Sequence, residues 1–170
     1  MKLMNGLTRD NLIDMYQKRF SESQMKEIIA GLNDNLDVSI YAKECYNNRQ
    51  MEQLRTGLSE KLDVSSYADP TLNSAHMMVI LNGLRKHIDM TPYIKRGFSA
   101  AQMNEILDGL IAKVDVSVYA DTRYTHEQMD EICTGLIDGI DVSSYTDPLM
   151  TVSEMQQIRV TLIEEAEKAS

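Results

Sequence analysis

The sequence predicts an all-α fold, an α-solenoid of six 26-residue units, on three observations. A methionine recurs every 26 residues, at Met25, Met51, Met77, Met103, Met129 and Met155. Gly-Leu follows the first five methionines at one fixed distance, and a tyrosine follows at another. Between the methionine and Gly-Leu, apolar residues are three or four positions apart, as on one face of an α-helix. This period indicates stacked helical repeats, each too small to bury its apolar face alone.

The repeats are predicted to form a single domain over residues 1–170, with units starting near residues 20, 46, 72, 98, 124 and 150. Residues 1–19 lack the full pattern but carry apolar residues at helical spacing, namely Leu7, Leu12, Ile13 and Met15. They are therefore predicted to be a degenerate N-terminal half-unit that caps the array. At the other end, Thr161 replaces the glycine of the earlier repeats, and a glutamate-rich segment closes the last helix.

Each repeat begins with the signature of a helix N-terminus. A short polar side chain stands four positions before each methionine, at Ser21, Asn47, Asn73, Ser99, Thr125 and Thr151. Three residues later, five of the six repeats have Gln or Glu, and the third has His76. This spacing is that of a capping box, in which two side chains satisfy backbone amides at the start of a helix. A long helix is therefore predicted in every repeat.

The second half of each repeat predicts a short helix or 3₁₀ turn. A recurring aspartate is placed to cap it, at Asp37, Asp63, Asp89, Asp115 and Asp141. The glycine inside the long helix costs about 1 kcal/mol relative to alanine, so its recurrence indicates a packing role. We expect a neighbouring backbone to approach closely at that glycine.

The net charge of −9 comes from the C-terminal part of the sequence. Residues 99–170 hold 14 acidic and 4 basic residues, whereas residues 1–98 hold 12 acidic and 13 basic residues. No apolar run has the length of a membrane span, and the N-terminus lacks the apolar stretch of a signal peptide. Cys45 and Cys133 lie far apart without metal-ligand spacing, which is typical of a reducing compartment. The sequence therefore predicts a cytoplasmic protein without a membrane partner.

The repeat reads Tyr-Ala-x-x-x-Tyr/Phe-x-x-x-Gln-Met-x-x-Ile-x-x-Gly-Leu-x-x-x-Leu-Asp-Val-Ser. It resembles tandem 26-residue arrays in uncharacterised proteins of gut Firmicutes and of their phages and mobile elements. The resemblance covers about residues 18–165, and the third repeat departs most, with His76, Met78, Met90 and Pro92. It implies an accessory protein of a mobile element, located in a bacterial host cell, that counters or regulates host machinery. It transfers no functional residue.

No constellation of residues predicts catalysis, a metal site or a cofactor. His76 and His87 would lie about 16 Å apart along a helix, too far to share a metal ion. The recurring aspartates lack the clustered oxygen ligands of a calcium loop, and helix capping accounts for them. Cys133 occupies a helix position held elsewhere by Ile or Leu and is interpreted as a packing residue.

Residues that break the repeat are the candidates for binding, because the recurring residues hold the fold. The positions one, four and eight residues after each recurring methionine form a stripe on the helix face beside the core. This stripe turns apolar from the third repeat onward. Its apolar members are Met78, Leu81, Leu107, Ile111, Ile137 and Ile163. An exposed stripe of this kind would bind a protein partner or a second copy of the chain. The alternative is that the stripe packs against the short helices of adjacent repeats.

Two charged surfaces are further candidates. The third repeat concentrates positive charge in a basic notch, formed by Arg85, Lys86, His87, Lys95 and Arg96. The notch suits a phosphate or an acidic partner, although the net charge of −9 and the lack of interleaved aromatic residues disfavour direct nucleic-acid binding. The second surface is acidic and would mimic nucleic acid, and its residues are Asp108, Asp121, Asp130, Glu131, Asp138 and Asp147. Its alternative is a solvated surface that aids solubility.

Three functions follow from these features. The first is a non-enzymatic, protein-binding solenoid that acts as an adaptor or as an inhibitor of a host or defence protein. The second is an acidic nucleic-acid mimic that occupies a DNA- or RNA-binding protein. The third is a small-molecule-binding sponge that uses a pocket between units. The sequence favours the first of these, with a protein partner or a homodimer.

Overall fold

The structure, a computed structural model, describes residues 8–168. These residues form eight α-helices and no strand, which confirms the all-α prediction. In chain order the helices are α1 (Arg9–Gln17), α2 (Glu22–Asn33), α3 (Asn48–Ser59), α4 (Ser74–Arg85), α5 (Thr91–Lys95), α6 (Ala100–Ala112), α7 (His126–Ile137) and α8 (Val152–Lys168). Helix α1 belongs to the predicted N-terminal cap, and Leu7 of that cap lies outside the described residues.

The chain divides between Arg85 and Lys86 into two compact parts. In the N-terminal part, α2 packs against α1 and α3, and α3 also packs against α4. In the C-terminal part, α7 packs against both α6 and α8. The division falls within the third repeat, and the prediction of a single domain over residues 1–170 stays a prediction.

The predicted capping boxes are confirmed. At the start of α2, the Gln24 amide nitrogen of the backbone donates to the Ser21 hydroxyl at 3.3 Å. In return, the Ser21 backbone amide donates to the Gln24 side-chain oxygen at 3.0 Å. The same reciprocal pair begins α3, α6 and α7, and Thr151 with Glu154 forms it at α8. Local sequence therefore sets where five long helices begin.

The long helices end earlier than the apolar pattern predicts. Helix α2 ends at Asn33, and the chain reverses through a residue with positive φ two positions later. This residue is Asn35, Lys61, His87, Lys113 or Gly139 in the first five repeats, with φ between 56° and 74°. The Leu36 amide then donates to the Gly31 carbonyl at 2.9 Å, which satisfies a carbonyl near the helix end.

The predicted short element is a 3₁₀ turn in four repeats, at Val38–Ile40, Val64–Ser66, Val116–Val118 and Val142–Tyr145. The capping role of the aspartate is confirmed, since the Asp37 carboxylate accepts from the Ser39 amide at 3.0 Å. In the third repeat the element is helix α5, with Pro92 in its first turn.

The recurring glycine has a packing role, but its partner is not a neighbouring backbone. The tyrosine after the 3₁₀ turn folds back onto its own long helix, and the Tyr41 hydroxyl donates to the Glu27 carbonyl at 3.1 Å. A Cβ atom at Gly31 would overlap that hydroxyl. The same arrangement recurs at Gly57, Gly109 and Gly135. The expectation of close backbone approach was therefore wrong, because a tyrosine side chain of the same repeat fills the space.

Candidate functional site: the α6–α7 junction at Glu105

Neighbouring long helices are joined by ion pairs at one register of the repeat. Each acidic residue stands two positions after its recurring methionine, and each arginine stands four positions after the next methionine. Arg55 Nε lies 2.8 Å from Glu27 Oε2 between α2 and α3. Arg159 Nε lies 2.8 Å from Glu131 Oε2 between α7 and α8, where the two side chains are only 16 % and 11 % exposed. Partly buried glutamates at this register are therefore neutralised by a guanidinium.

Between α6 and α7 the same register holds Glu105 and Cys133. Cys133 is buried at 3 % exposure and occupies the place of the arginine. Among residues 8–168, no side chain donates a hydrogen bond to the Glu105 carboxylate or pairs with it. At the α3–α4 junction the register is neutral, with Gln53 and Leu81. The α6–α7 junction thus keeps the acid of the pair and loses its partner.

The electrostatic surroundings of Glu105 add to this imbalance. Burial, followed by the negative charges of Asp130 and Asp108, raises the pKa of Glu105 to about 7, while His126 opposes the shift. Burial and Asp130 also raise the pKa of Asp108. A pKa raised in this way means that the ionised carboxylate is unfavourable in the folded protein. A cation placed beside Glu105 would relieve that cost.

Tyr119 and Cys133 are buried side chains near Glu105. The Tyr119 hydroxyl donates to the Glu105 backbone carbonyl at 2.9 Å, and this fixes the ring against α6. Burial raises the pKa of Cys133, so that its side chain is a neutral thiol rather than a nucleophilic thiolate at neutral pH. We use the name Glu105 groove for the α6–α7 junction at Glu105, Asp108, Asp130 and Cys133. Its three carboxylates give this junction a negative charge that would attract a guanidinium.

The predicted apolar stripe divides into buried and exposed members. Leu81 and Leu107 are 1 % and 4 % exposed and belong to the core. Met78, Ile111 and Ile137 are exposed, at 42 %, 43 % and 55 %. Ile163 is half-buried beside Asp138 in a shallow groove of about 340 Å³.

Two exposed isoleucines of the stripe lie beside the Glu105 groove. Ile111 is one helical turn beyond Asp108 on α6, and Ile137 is one turn beyond Cys133 on α7. Both isoleucines are therefore exposed apolar side chains on the two helices that carry Glu105 and Cys133.

The residues of the predicted basic notch are engaged to different degrees. Arg85, in the N-terminal part, makes a two-point ion pair with Glu60, with Nε at 2.7 Å from Oε2. In the C-terminal part, Arg96 donates to the Ala120 carbonyl at 2.7 Å and its guanidinium lies 5.0 Å from the centre of the Phe98 ring. Lys86, His87 and Lys95 are exposed. Both arginines of the notch thus have internal partners.

Half of the predicted acidic face is neutralised by arginine. Glu131 is buried against Arg159, and Asp138 lies 3.6 Å from the same guanidinium. Asp121 pairs with Arg123 at 2.6 Å, and the hydrogen bonds from Arg123 lower the pKa of Asp121 to about 2. Asp147 accepts from the backbone amide of Leu149 at 2.9 Å. The remaining two carboxylates, Asp108 and Asp130, belong to the Glu105 groove.

One recurring residue has a second role that the capping pattern did not predict. The side-chain amide of Gln50 donates to the carbonyls of Pro70 and Leu72 at 3.1 and 2.6 Å, in the loop that leads to the next helix. Gln24, Gln102 and Gln128 make equivalent bonds. The sequence indicated this role by having Gln rather than Glu at the position in four repeats. Only Gln can accept a hydrogen bond from the capping residue and also donate one to a loop carbonyl.

Within residues 8–168, no group of three or more His, Cys, Asp or Glu side chains is arranged to hold a metal ion. No helix in this part of the chain has the length and apolar character needed to cross a membrane. In comparisons with known proteins, no family model, curated protein or solved structure matches the chain.

Proposed function

We propose that this protein is a non-enzymatic protein-binding module, and that the Glu105 groove binds an arginine side chain of its partner. The observation that carries the proposal is the broken ion-pair register. Glu27 and Glu131 each hold a guanidinium at 2.8 Å, whereas Glu105 at the same register has none. The partner's arginine would take the position that Arg55 and Arg159 occupy in their own pairs.

An arginine fits this site for physical reasons. Its planar guanidinium presents several donors, so it can bond Glu105 while the negative charges of Asp108 and Asp130 attract it. The exposed Ile111 and Ile137 would cover apolar residues next to that arginine. Such an arrangement combines a desolvated charge pair with an apolar border, which is how binding energy concentrates at interfaces.

The geometry favours this function over a nucleic-acid mimic. A mimic needs a series of free carboxylates, and Asp121, Glu131 and Asp138 are occupied by arginine. The negative groove also repels phosphate, so the proposed partner is a protein with a basic surface. No catalytic role is included in the proposal.

The wider setting is proposed from the sequence. In several repeats a tyrosine that follows the 3₁₀ turn packs on its own long helix, and we call this feature a tyrosine turn. The 26-residue period, the repeated caps and the tyrosine turns support an α-solenoid of six repeats. The resemblance to mobile-element arrays supports a role as an adaptor, or as an inhibitor of a host or defence protein, in a bacterial cytoplasm.

The test uses a probe that isolates the guanidinium. The peptide acetyl-Leu-Arg-Leu-amide would be titrated into the full chain, with a matched peptide that carries citrulline, the uncharged isostere of arginine. Binding would be followed by NMR chemical shifts and calorimetry. We expect the arginine peptide to bind at least about tenfold more tightly than the citrulline peptide, a difference of ~1.4 kcal/mol. Equal binding of the two peptides would contradict the proposal.

Two variants locate the binding to the groove. Cys133→Arg should let the protein close its own groove, because Arg159 at the same register pairs with Glu131. We expect Cys133→Arg and Glu105→Gln to abolish the preference for the arginine peptide. Glu52→Gln, which removes an exposed acid from helix α3 in the N-terminal part, is the matched control and should retain it. Circular dichroism would establish that each variant is folded.

A further inference from the structure

Helix α8 differs from the earlier long helices at the register of the packing glycine, where it has Thr161. In the earlier repeats that register receives a tyrosine hydroxyl, and a Cβ atom there would overlap it. A tyrosine turn of the repeat type therefore cannot seat on α8 in the same way. Whatever covers this side of α8 has a different structure.

Thr161 also supplies the hydrogen bond that the tyrosine makes elsewhere. Its hydroxyl donates to the Gln157 carbonyl at 2.9 Å. The equivalent carbonyls of Glu27, Gln53 and Glu105 accept from Tyr41, Tyr67 and Tyr119. Helix α8 thus satisfies this carbonyl without a tyrosine turn.

The side of α8 that carries Thr161 leaves apolar residues accessible. Ile158 is half-buried, whereas Ile28, Ile106 and Ile132 at its register are fully buried. With Met150 and Leu162, Ile158 lines a groove of about 560 Å³. We define the α8 flank by Met150, Glu154, Ile158, Leu162 and Glu165.

The charges around the α8 flank specify the occupant. Glu154 and Glu165 border the groove. Glu164 and Glu167 also lie in the last turns of α8, where the helix dipole is negative and carboxylates are unfavourable. A second copy docked on the flank would bring like charges together, whereas lysines or arginines of a partner would offset them.

We propose that the α8 flank binds an amphipathic helix whose apolar stripe is bordered by Lys and Arg. The partner's stripe packs on Ile158 and Leu162, at the helix-to-helix distance of about 8–10 Å that is usual for proteins. Its basic residues face Glu154 and Glu165. This surface is independent of the Glu105 groove, so each proposal can fail alone.

The test uses a fluorescein-labelled, 18-residue helical peptide of Leu and Lys, with a Leu and Glu peptide as the charge-reversed control. Binding to the full chain would be measured by fluorescence anisotropy at about 0.15 M salt. Two variants add the same negative charge at different places on α8. Leu162→Asp changes the flank, and Val160→Asp changes an exposed position off the flank.

We expect the Leu/Lys peptide to bind the unmodified chain and Val160→Asp alike, and to bind Leu162→Asp at least about tenfold more weakly. If charge alone attracted the peptide, both variants would bind it more tightly than the unmodified chain, because each adds a negative charge. Equal binding of the two variants would overturn the proposal. So would sedimentation that shows the unmodified chain self-associating and Leu162→Asp monomeric, since the occupant would then be a second copy. Binding of the Leu/Glu peptide with equal affinity would also overturn it.

Discussion

The contact between Gly31 and Tyr41 makes a quantitative prediction about stability. At an ordinary helix position, Gly→Ala stabilises a protein by about 1 kcal/mol. At Gly31 the new methyl group would overlap the hydroxyl of Tyr41, which is fully buried. Overpacking of this kind costs about 3 kcal/mol at the upper end, and the hydrogen bond from Tyr41 to Glu27 contributes about 1 kcal/mol more. We therefore expect Gly31→Ala to lower the free energy of unfolding by about 3 kcal/mol after the helix gain is subtracted.

A double-mutant cycle separates this clash from other effects. Tyr41→Phe removes the hydroxyl and should cost about 1 kcal/mol alone, through the lost hydrogen bond. Without the hydroxyl, the nearest atom to the new Cβ is Val38 Cγ1, at 3.0 Å. Gly31→Ala should then cost close to nothing in the Tyr41→Phe background, which gives a coupling energy of about 3 kcal/mol.

Urea unfolding followed by far-ultraviolet circular dichroism would measure the cycle. Thr161→Ala is the internal control, because the same register of α8 carries no tyrosine, and it should change stability by less than about 0.5 kcal/mol. The reasoning is refuted if Gly31→Ala is neutral or stabilising. It is also refuted if Gly31→Ala costs as much in the Tyr41→Phe background as in the unmodified chain, that is, if the two substitutions simply add.

Two further predictions concern single polar groups. Because the pKa of Glu105 is raised to about 7, stability falls as the pH rises through the interval between its ordinary value and 7. Glu105→Gln should therefore be more stable than the parent by about 1 kcal/mol at pH 8, after allowance for solvent screening, and this gain should vanish near pH 4 in thermal unfolding. A gain that is independent of pH would contradict this. Gln50→Glu keeps the capping acceptor but faces the Pro70 and Leu72 carbonyls without donors, so it should cost about 2–3 kcal/mol in urea unfolding. Glu154→Gln, at the exposed cap of α8, is the control. If both substitutions changed the free energy of unfolding by the same small amount, the bonds from Gln50 to the loop would not contribute to stability.

The positions of the helix starts could be predicted from sequence because capping is local. Ser21 and Gln24 are three residues apart, and the bonds between them need nothing from the rest of the chain. The aspartate caps of the 3₁₀ turns are local for the same reason, as Asp37 and Ser39 show. Short-range chemistry of this kind is readable directly from residue type and spacing.

The helix ends and the tyrosine contacts could not be predicted in the same way. Lys61 and Lys113 have positive φ, although glycine is the residue that usually signals such a position. The chain reverses there, and the tyrosine that follows the 3₁₀ turn returns to its own helix. Gly31 and Tyr41 are ten residues apart, and their contact appears only once that reversal is formed.

The sequence singled out Asp108 and Asp130 as part of an acidic face, and Ile111 and Ile137 as part of an apolar stripe. In the structure the negative charges of the two aspartates act on Glu105, and the two isoleucines are exposed. Glu105 was not predicted, because glutamate also stands at its register in two other repeats, at Glu27 and Glu131. Glu105 differs from those two glutamates because no arginine stands 28 residues after it. That difference is visible only when the residues of two neighbouring helices are compared.

The recurring polar groups of this protein are largely satisfied inside the repeats, and this limits where a partner can bind. Glutamine amides bond to loops, most tyrosine hydroxyls bond to helix carbonyls, and aspartates cap turns. Tyr145 keeps a buried hydroxyl without a hydrogen-bond partner in the described part of the chain, but at 0 % exposure it cannot reach another molecule. A satisfied group offers a partner no new bond, since binding would only exchange one bond for another.

Binding energy is therefore available where a substitution has removed an internal partner. Cys133 replaces the arginine that would neutralise Glu105, and Thr161 replaces the glycine that would admit a tyrosine turn. The first change leaves a carboxylate without its cation, and the second puts a Cβ atom where a tyrosine hydroxyl would otherwise lie beside the apolar flank. Because the two changes act on different atoms, Cys133→Arg should close the groove and leave the α8 flank open, while Leu162→Asp should do the opposite. A single partner that lost binding to both variants would have to contact both surfaces at once.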